Sequence, residues 1–322
     1  MIYRHVSAML SEAVAALNCR PGGIYVDGTL GGGGHAEAIC NKIAPDGILI
    51  GIDQDRAAID HAHKVLASYA AHVHLFHGNY VQMPAYLSQL GIGTVDGIML
   101  DLGLSQYQIE ASGRGFSFQT DEPLDMRMDE RNPMRAQDII NHYPEDELHR
   151  IFRQYGEERY ARRIAHAIVK ARNEGPIRTT GQLAGLIRRA IPAAAARQKI
   201  HPATRIFMAL RIAVNQELES LEKFLAFFMD VLSVGGRLCV LSFHSLEDRL
   251  VKQRFKYLAK GCTCPPVYPK CICSGRPAVR LIHKKVLRPT QQEVILNPMA
   301  RSTRLRAVEK LTAGSAPTGQ AA

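Results

Sequence analysis

The stretch that most constrains the fold is a glycine-rich turn between a predicted strand and a predicted helix. Residues 24–26 are Ile-Tyr-Val, a run typical of a buried strand, and Asp27 ends it. Residues 31–34 are four consecutive glycines, and a helix-compatible run follows over residues 36–43. Glycine lets a backbone approach a ligand closely and adopt positive φ. This order predicts the first unit of a doubly wound α/β sheet, with a nucleotide site at the carboxyl end of the strand.

A second acidic strand end indicates which nucleotide the site takes. Residues 47–52 are apolar or glycine and lead to Asp53, where an acid can accept hydrogen bonds from the ribose hydroxyls of an adenosine group. The glycine turn departs from G-x-G-x-x-G, and Asp27 would repel a pyrophosphate but attract a cationic amino-acid group. The sequence therefore favours S-adenosylmethionine over NAD, although the turn alone would also allow a nicotinamide-dependent oxidoreductase.

Further candidate site residues follow three other predicted strands. Asp101 ends the strand over residues 95–101, so three acids are expected at one edge of the sheet. Tyr80 follows the third strand and is a candidate to stack on the nucleobase, with surface packing as the alternative. His244 follows the fifth strand and is a candidate to contact substrate, with local hydrogen bonding as the alternative. Ser245 and Asp248 resemble a capping box for the next helix.

The alternation of strands and helices stops after residue 104, which predicts an inserted all-helical domain. Helices are expected over residues 136–143, 145–155, 157–173, 180–190 and 202–222. The predicted domains are a discontinuous cofactor-binding domain (1–104 and 206–311), a helical substrate domain (105–205) and a disordered tail (312–322).

Positive charge is concentrated outside the first hundred residues. The chain has a formal charge of +10. Residues 1–100 hold five Lys/Arg and eight Asp/Glu, a net of −3, so residues 101–322 carry +13. Such a basic region is typical of proteins that bind a polyanion, most simply nucleic acid, and a solvated basic surface is the alternative.

The first residues lack the pattern of a secretory signal peptide. Arg4, His5 and Glu12 interrupt the region where an apolar core would be needed, and no apolar stretch reaches the length of a membrane span. We therefore expect a soluble cytoplasmic protein with no membrane partner. The oligomeric state cannot be read from these features.

Four cysteines form a cluster with the spacing C-x-C-x₆-C-x-C. Thiolates this close together, between prolines that stiffen the turns, can enclose one tetrahedral Zn²⁺ without leaving an open position. The spacing therefore predicts a structural zinc site, with free thiols as the alternative in a reducing cytosol. The predicted ligands are Cys262, Cys264, Cys271 and Cys273.

Several stretches together resemble the bacterial small-subunit (16S) ribosomal RNA cytosine-N4 methyltransferases. They occur in that family's order and extend from His5 to Arg306. The matching motifs are residues 27–35 (D-G-T-L-G-G-G-G-H), 101–105 (D-L-G-L-S), 114–118 (R-G-F-S-F), 123–128 (P-L-D-M-R-M), 155–159 (Y-G-E-E-R), 201–205 (H-P-A-T-R), 211–215 (R-I-A-V-N) and 242–248 (S-F-H-S-L-E-D).

The resemblance implies a class I fold that uses S-adenosylmethionine to methylate the N4 amine of one cytidine in the decoding region of 16S rRNA. The small ribosomal subunit is the implied partner. The carried-over cofactor residues are Gly33, Gly34, His35, Asp53, Tyr80, Asp101 and Gln108.

The sequence departs from related patterns at two places near Asp101. Gln106 and Tyr107 stand where family members usually have serine and proline. The loop after Asp101 also lacks the proline pair that many amino-methyltransferases use to bind the amine. Asp101 and His244 are therefore the catalytic candidates, and a backbone carbonyl is a further possible acceptor. An assembly factor that binds cofactor and RNA without methyl transfer is the non-enzymatic alternative.

Overall fold

The computed structural model describes residues 7–192, 201–261, 264 and 275–312. The chain divides into two compact units. The helical unit comprises Leu104–Glu217, and the sheet unit comprises Ile2–Gly103 with Leu218–Ala322. Residues 313–322 of the predicted disordered tail lie outside the described residues.

Seven strands of the described residues form one sheet in the order β3-β2-β1-β4-β5-β7-β6. The first five strands are parallel, and β7 runs antiparallel to both β5 and β6. The strands are β1 (Ile24–Asp27), β2 (Ile48–Asp53), β3 (Val73–His77), β4 (Val95–Asp101), β5 (Leu232–Ser242), β6 (Val279–Leu281) and β7 (Arg304–Lys310).

Helices occupy both units. The sheet unit holds α1 (Leu10–Leu17), α2 (Gly34–Ile43), α3 (Arg56–Val65), α4 (Met83–Gln89), most of α11 (Glu217–Val231), α12 (Ser245–Lys260) and α13 (Gln291–Leu296). The helical unit holds α5 (Gln106–Glu110), α6 (Ala136–His142), α7 (Glu145–Gln154), α8 (Ala161–Arg172), α9 (Thr180–Ala190) and α10 (Ala203–Asn215). Among the described residues, every helix is too short or too polar to cross a membrane.

Alternate residues of the central strands pack on opposite faces of the sheet. Ile98 and Leu100 of β4 lie in a core cluster with Phe224 of α11. Met99, between them, lies in another cluster with Ile39 of α2 and Ala13 of α1. Successive side chains of a strand point to opposite faces, so both faces are buried under helices. The predicted doubly wound α/β sheet is confirmed.

The helical unit has its own hydrophobic core. Leu148 and Phe152 of α7 are fully buried there with Ile164 of α8. Ile206 and Leu210 of α10 complete the same core. These residues recur at helical spacing, so each helix presents one apolar stripe to the others.

Two predicted helices and the predicted domain boundary differ from those observed. The single helix expected over residues 202–222 is interrupted at Gln216, whose φ of 50° ends α10. The helix expected over residues 157–173 begins only at Ala161. The sequence places the domain boundary at residue 206, but α10 packs into the core of the helical unit, which runs to Glu217.

Candidate cofactor-binding site

Three acids end parallel strands at the same edge of the sheet. Asp27 pairs in register with Gly51 of β2, and Asp53, at the end of β2, pairs with His77 of β3. Asp101 ends β4. The carboxyl edge of a doubly wound sheet is where such folds bind ligands. The structure therefore brings the three acids together as the sequence predicts.

The glycine turn takes a conformation that other residues disfavour. Gly33 is the N-cap of α2 and has a φ of 78°, in the left-handed region. Gly28 lies so close to β4 that a Cβ there would stand 2.5 Å from Cδ2 of Leu100. The backbone of the turn therefore stays close to the sheet edge.

The Asp53 carboxylate is oriented by backbone donors on two sides. The N–H of Gly31 donates to its Oδ2 at 2.9 Å, and the N–H of Asp55 donates to its Oδ1 at 2.8 Å. Burial raises the pKa of Asp53 to about 7, although both N–H donors act in the opposite direction. Each carboxylate oxygen has a second lone pair, so the oriented group can accept further hydrogen bonds.

A buried histidine lies beside two of the acids. Asp27 is completely buried, and its Oδ1 accepts a hydrogen bond from the N–H of Thr29. His35, in the first turn of α2, is 4% exposed, and its Nε2 lies 3.4 Å from Oδ2 of Asp101. Asp27, His35 and Asp101 therefore form one cluster, made of two carboxylates and an imidazole.

Burial raises one pKa value in this cluster, and neighbouring charge raises another. Burial raises the pKa of Asp27 to about 6, against the opposing effects of His35 and the Thr29 N–H. Burial by itself would lower the pKa of His35, but its contact with Asp101 and the charges of Asp101 and Asp27 outweigh that effect, so the pKa is raised. The imidazole is thus favoured in its protonated, cationic form.

Several polar atoms of the cluster are buried without a hydrogen-bond partner in the described part of the chain. They are Oδ2 of Asp27, Nδ1 and Nε2 of His35, and Oδ1 of Asp101. An unpaired buried polar atom costs about 1–3 kcal/mol. Four such atoms at the carboxyl edge of the sheet indicate a site for a polar ligand that would pair with them.

Thr29 is a site residue that the sequence reasoning missed. Its hydroxyl accepts a hydrogen bond from the backbone N–H of Asp101 at 2.6 Å, and its own N–H donates to Asp27. It therefore joins the ends of β1 and β4. The available signal was its position two residues after the strand-ending Asp27, where an Asx turn is common.

Tyr80 and Gln108 are both buried, and each contacts residues of the unit to which it belongs. The Tyr80 ring is 7% exposed and meets Phe224 edge-on, with centroids 5.6 Å apart. Gln108 belongs to the helical unit, where its Oε1 accepts a hydrogen bond from the N–H of Ser105 and helps cap α5. A cofactor contact from either residue stays a prediction.

His244 caps α12, so the predicted capping box is displaced by one residue. Nδ1 of His244 accepts from the N–H of Glu247 at 3.4 Å, and Nε2 lies 3.1 Å from Oε1 of Glu247. Glu247 in turn accepts from the N–H of Phe243. The box is therefore His244 with Glu247, and not Ser245 with Asp248. Both ring nitrogens face groups of one neighbouring residue.

The two roles of His244 can be separated by substitution. Asparagine is a good N-cap, so we expect His244→Asn to keep the melting temperature and His244→Ala to lose about 1 kcal/mol of stability. Because the imidazole is engaged by Glu247, we also expect methyl transfer by His244→Asn to stay within about threefold of the unaltered chain. A folded His244→Asn variant without activity would contradict this and make His244 the amine's acceptor.

Most of the cysteine cluster lies outside the described residues. This applies to Cys262, Cys271 and Cys273, whereas Cys264 is described and half-buried. The zinc site stays a prediction. We expect about one zinc per chain after purification without chelator, measured by metal analysis, with the metal lost in a Cys271→Ser variant. Metal-free protein would rule the site out.

The helical unit carries an exposed basic surface. Arg162 and Arg163 of α8 are exposed, and the guanidinium of Arg159 lies over the ring of Tyr160. Glu158 pairs with Arg205 of α10 at 3.7 Å. Further exposed cations are Lys170, Arg188 and Arg189.

Comparisons with known proteins point to one family. The MraW methylase family matches residues 2–311. A protein of Desulfosudis oleivorans named ribosomal RNA small subunit methyltransferase H is 55% identical over 312 residues, covering 97% of this chain and all of that protein. Its counterpart in Geobacter sulfurreducens is 50% identical, again over 97% of this chain and all of the relative.

A solved rRNA methylase from Streptococcus thermophilus aligns over 97% of this chain and 99% of its own, at 11% identity and a TM-score of 0.39. The family match and the two sequence relatives are far stronger, and they confirm the resemblance seen in the motifs. The chain belongs to the MraW methylase family.

Proposed function

We propose that this methyltransferase transfers a methyl group from S-adenosylmethionine to the N4 amine of one cytidine in the decoding region of 16S rRNA. The observation that carries the cofactor part is the cluster of unpaired buried polar atoms on Asp27, His35 and Asp101. The RNA part is supported by the family, by the names of its relatives and by the basic surface of the helical unit.

The cluster fits the amino-acid end of S-adenosylmethionine. That end carries an ammonium, which donates hydrogen bonds, and a carboxylate, which accepts them. Asp27 and Asp101 supply acceptors, and the cationic His35 supplies a donor. Each charge of the bound group would face a side chain of opposite charge, so the group would pair with atoms that otherwise stay unpaired.

Asp53 would hold the ribose. Its carboxylate is fixed by the N–H groups of Gly31 and Asp55, and its remaining lone pairs suit the two ribose hydroxyls. Gly33 and Gly34 would let the backbone approach the cofactor. Tyr80 and Gln108 complete the proposed set of cofactor residues.

The target amine is a poor nucleophile because its lone pair is delocalised into the cytosine ring. Bound S-adenosylmethionine supplies an electrophilic methyl group on a sulfonium. The chain's residues must hold N4 in line with that methyl and accept its proton. Of the two candidates, Asp101 has an Oδ1 without a hydrogen-bond partner in the described part of the chain. Nε2 of His244 also lacks one, but it lies 3.1 Å from Oε1 of Glu247, and Nδ1 accepts a hydrogen bond from the Glu247 N–H. We therefore favour Asp101 over His244 as the acceptor.

The target base must leave its stack to reach the methyl group, which suits a single-stranded loop. The exposed arginines of the helical unit would bind phosphates flanking the base. The proposed setting is the cytoplasm, with rRNA in the small ribosomal subunit as the substrate.

The test is methyl transfer from labelled S-adenosylmethionine to small subunits that lack the mark, with the product nucleoside identified. N4-methylated cytidine at one site is expected. Another methylated nucleoside would refute the N4 assignment. Cofactor binding without transfer, on free rRNA and on subunits at several stages of assembly, would favour the assembly-factor alternative.

Cofactor binding should weaken in acid. The proposed contacts use ionised Asp53 and Asp27, whose pKa values are raised to about 7 and about 6 in the cofactor-free chain. Lowering the pH protonates both carboxylates, so affinity is lost as the pH falls through these values. We expect the Kd for S-adenosylmethionine to rise about tenfold from pH 8 to pH 6. Calorimetric titration at each pH measures this.

The Asp53→Asn variant is the control for that pH dependence. Its Kd should be higher at every pH, and the pH dependence should be shallower because one of the two proposed carboxylate contacts no longer titrates. A Kd for the unaltered chain that is constant between pH 8 and pH 6 would contradict the ionised-carboxylate contacts.

A further inference from the structure

Residues 284–304, called the edge segment, lie at the same edge of the sheet as the three acids. Arg304 opens β7 and pairs in register with Ser242, the last residue of β5. Oε1 of Glu293, in α13, accepts a hydrogen bond from the N–H of Met9 at 2.5 Å. The hydroxyl of nearby Ser7 occupies the space where Gly34 lacks a side chain. The edge segment is therefore connected to the glycine turn indirectly. Glu293 contacts Met9, and Ser7, two residues earlier, lies against Gly34.

The edge segment exposes large aliphatic side chains. Ile295 is 78% exposed, Leu296 74% and Met299 39%. The α13 helix that carries the first two has no buried residue. It is held instead by its Thr290 cap and by the contact of Glu293 with Met9. These three side chains lie within five residues of one another along the chain, and they are not packed in the core. The exposed area that they offer is called the apolar surface.

Positive charge accompanies this apolar surface. The edge segment contains one acid, Glu293, and that carboxylate receives the Met9 N–H. Its exposed basic residues are Lys284, Lys285, Arg288 and Arg301. An apolar surface with a cationic surround fits a polyanion that also offers apolar faces. Unstacked nucleic-acid bases joined by phosphates have both properties.

We propose that the edge segment binds the rRNA strand next to the target cytidine, with Ile295, Leu296 and Met299 against unstacked bases and the cations on phosphates. This inference rests on the proposed function, because it takes the substrate to be rRNA. Two observations favour RNA over a protein partner. The segment is strongly cationic, and its Glu293 contacts Met9, two residues after the Ser7 that lies against Gly34 of the proposed cofactor site. Aliphatic side chains are used in this way as wedges between base steps.

The test compares binding by the unaltered chain with binding by an Ile295→Ser/Leu296→Ser variant. Both side chains are exposed, so the melting temperature should not change. The Kd for undermethylated small subunits should rise about tenfold, since contact with two aliphatic side chains is lost. The Kd for S-adenosylmethionine should stay the same. Val234→Ser is the matched control, because Val234 is 56% exposed near the start of β5, at the opposite edge.

Two further measurements identify the bound molecule. Arg301→Gln should reduce the slope of log Kd against log salt concentration by about 1, as expected when one phosphate contact is lost. A photoreactive amino acid at position 296 should crosslink to rRNA within the complex. A crosslink to a ribosomal protein, or an unchanged Kd for the serine variant, would overturn the proposal. Binding is measured without methyl transfer, so a failure of the proposed reaction would be seen separately.

Discussion

Asp53→Ala is expected to bind S-adenosylmethionine at least about a hundredfold more weakly than the unaltered chain, and to lose methyl transfer at ordinary cofactor concentrations. The proposed contact consists of two ribose hydroxyls that donate to one carboxylate. A hydrogen bond to a charged group contributes about 1.5–3 kcal/mol, so the pair accounts for two orders of magnitude or more. The substitution also frees the N–H groups of Gly31 and Asp55, which loosens the glycine turn.

The measurement is calorimetric titration of the cofactor, followed by the transfer assay. Asp60→Ala is the control, because Asp60 is an exposed acid of the neighbouring helix α3 and pairs only with Arg56 among the contacts described for it. Its Kd should match that of the unaltered chain. An Asp53→Ala variant that binds the cofactor within threefold of the unaltered chain would show that the ribose lies elsewhere.

The strand ends could be predicted because the signal is local. Each of β1, β2 and β4 is a short apolar run closed by an acid, and parallel strands bring their carboxyl ends to one edge. The glycine turn likewise needs only adjacent residues. The three acids could therefore be placed together before any contact between them was known.

Contacts between distant residues could not be predicted in this way. His35 was carried over as a cofactor residue, but its position beside Asp101 depends on how α2 packs against β1 and β2. Whether His244 or Ser245 caps α12 depends on where β5 ends. A shift of that end by one residue would change which of the two side chains is the cap. Whether α10 belongs to the sheet unit or to the helical unit depends on the residues that it packs against. The apolar pattern of α10 predicts a buried face but not the helices that bury it.

The motifs of the helical unit also make contacts that the sequence does not predict. Residues 114–118, 123–128 and 211–215 carry the family resemblance but have no evident chemistry. In the structure they bond to one another. The buried Arg114 donates to the backbone carbonyls of Arg127 and Met128. One role of these motifs is therefore to fix a loop.

Asn215 is the residue on which that loop depends most. Its Oδ1 accepts from the N–H of Met128 at 2.7 Å, and its Nδ2 donates to the carbonyls of Met126 at 2.8 Å and Arg211 at 2.9 Å. Met126 has a φ of 61°, an unfavourable conformation for a side chain of that size. The amide thus pairs with the carbonyl of the strained residue and with the N–H two residues later, from positions 89 and 87 residues away along the chain.

We expect Asn215→Ala to lower the free energy of unfolding of the helical unit by about 3 kcal/mol, since a buried N–H and a buried carbonyl each lose their partner at about 1–3 kcal/mol. Hydrogen exchange at the Met128 amide should accelerate, because that N–H loses its hydrogen bond to Oδ1 of Asn215. Chemical denaturation and exchange measure the two effects. Asn173→Ala, at the exposed end of α8, should change stability by less than about 0.5 kcal/mol. Unchanged exchange at Met128 would mean that the loop is held without Asn215, chiefly by Arg114.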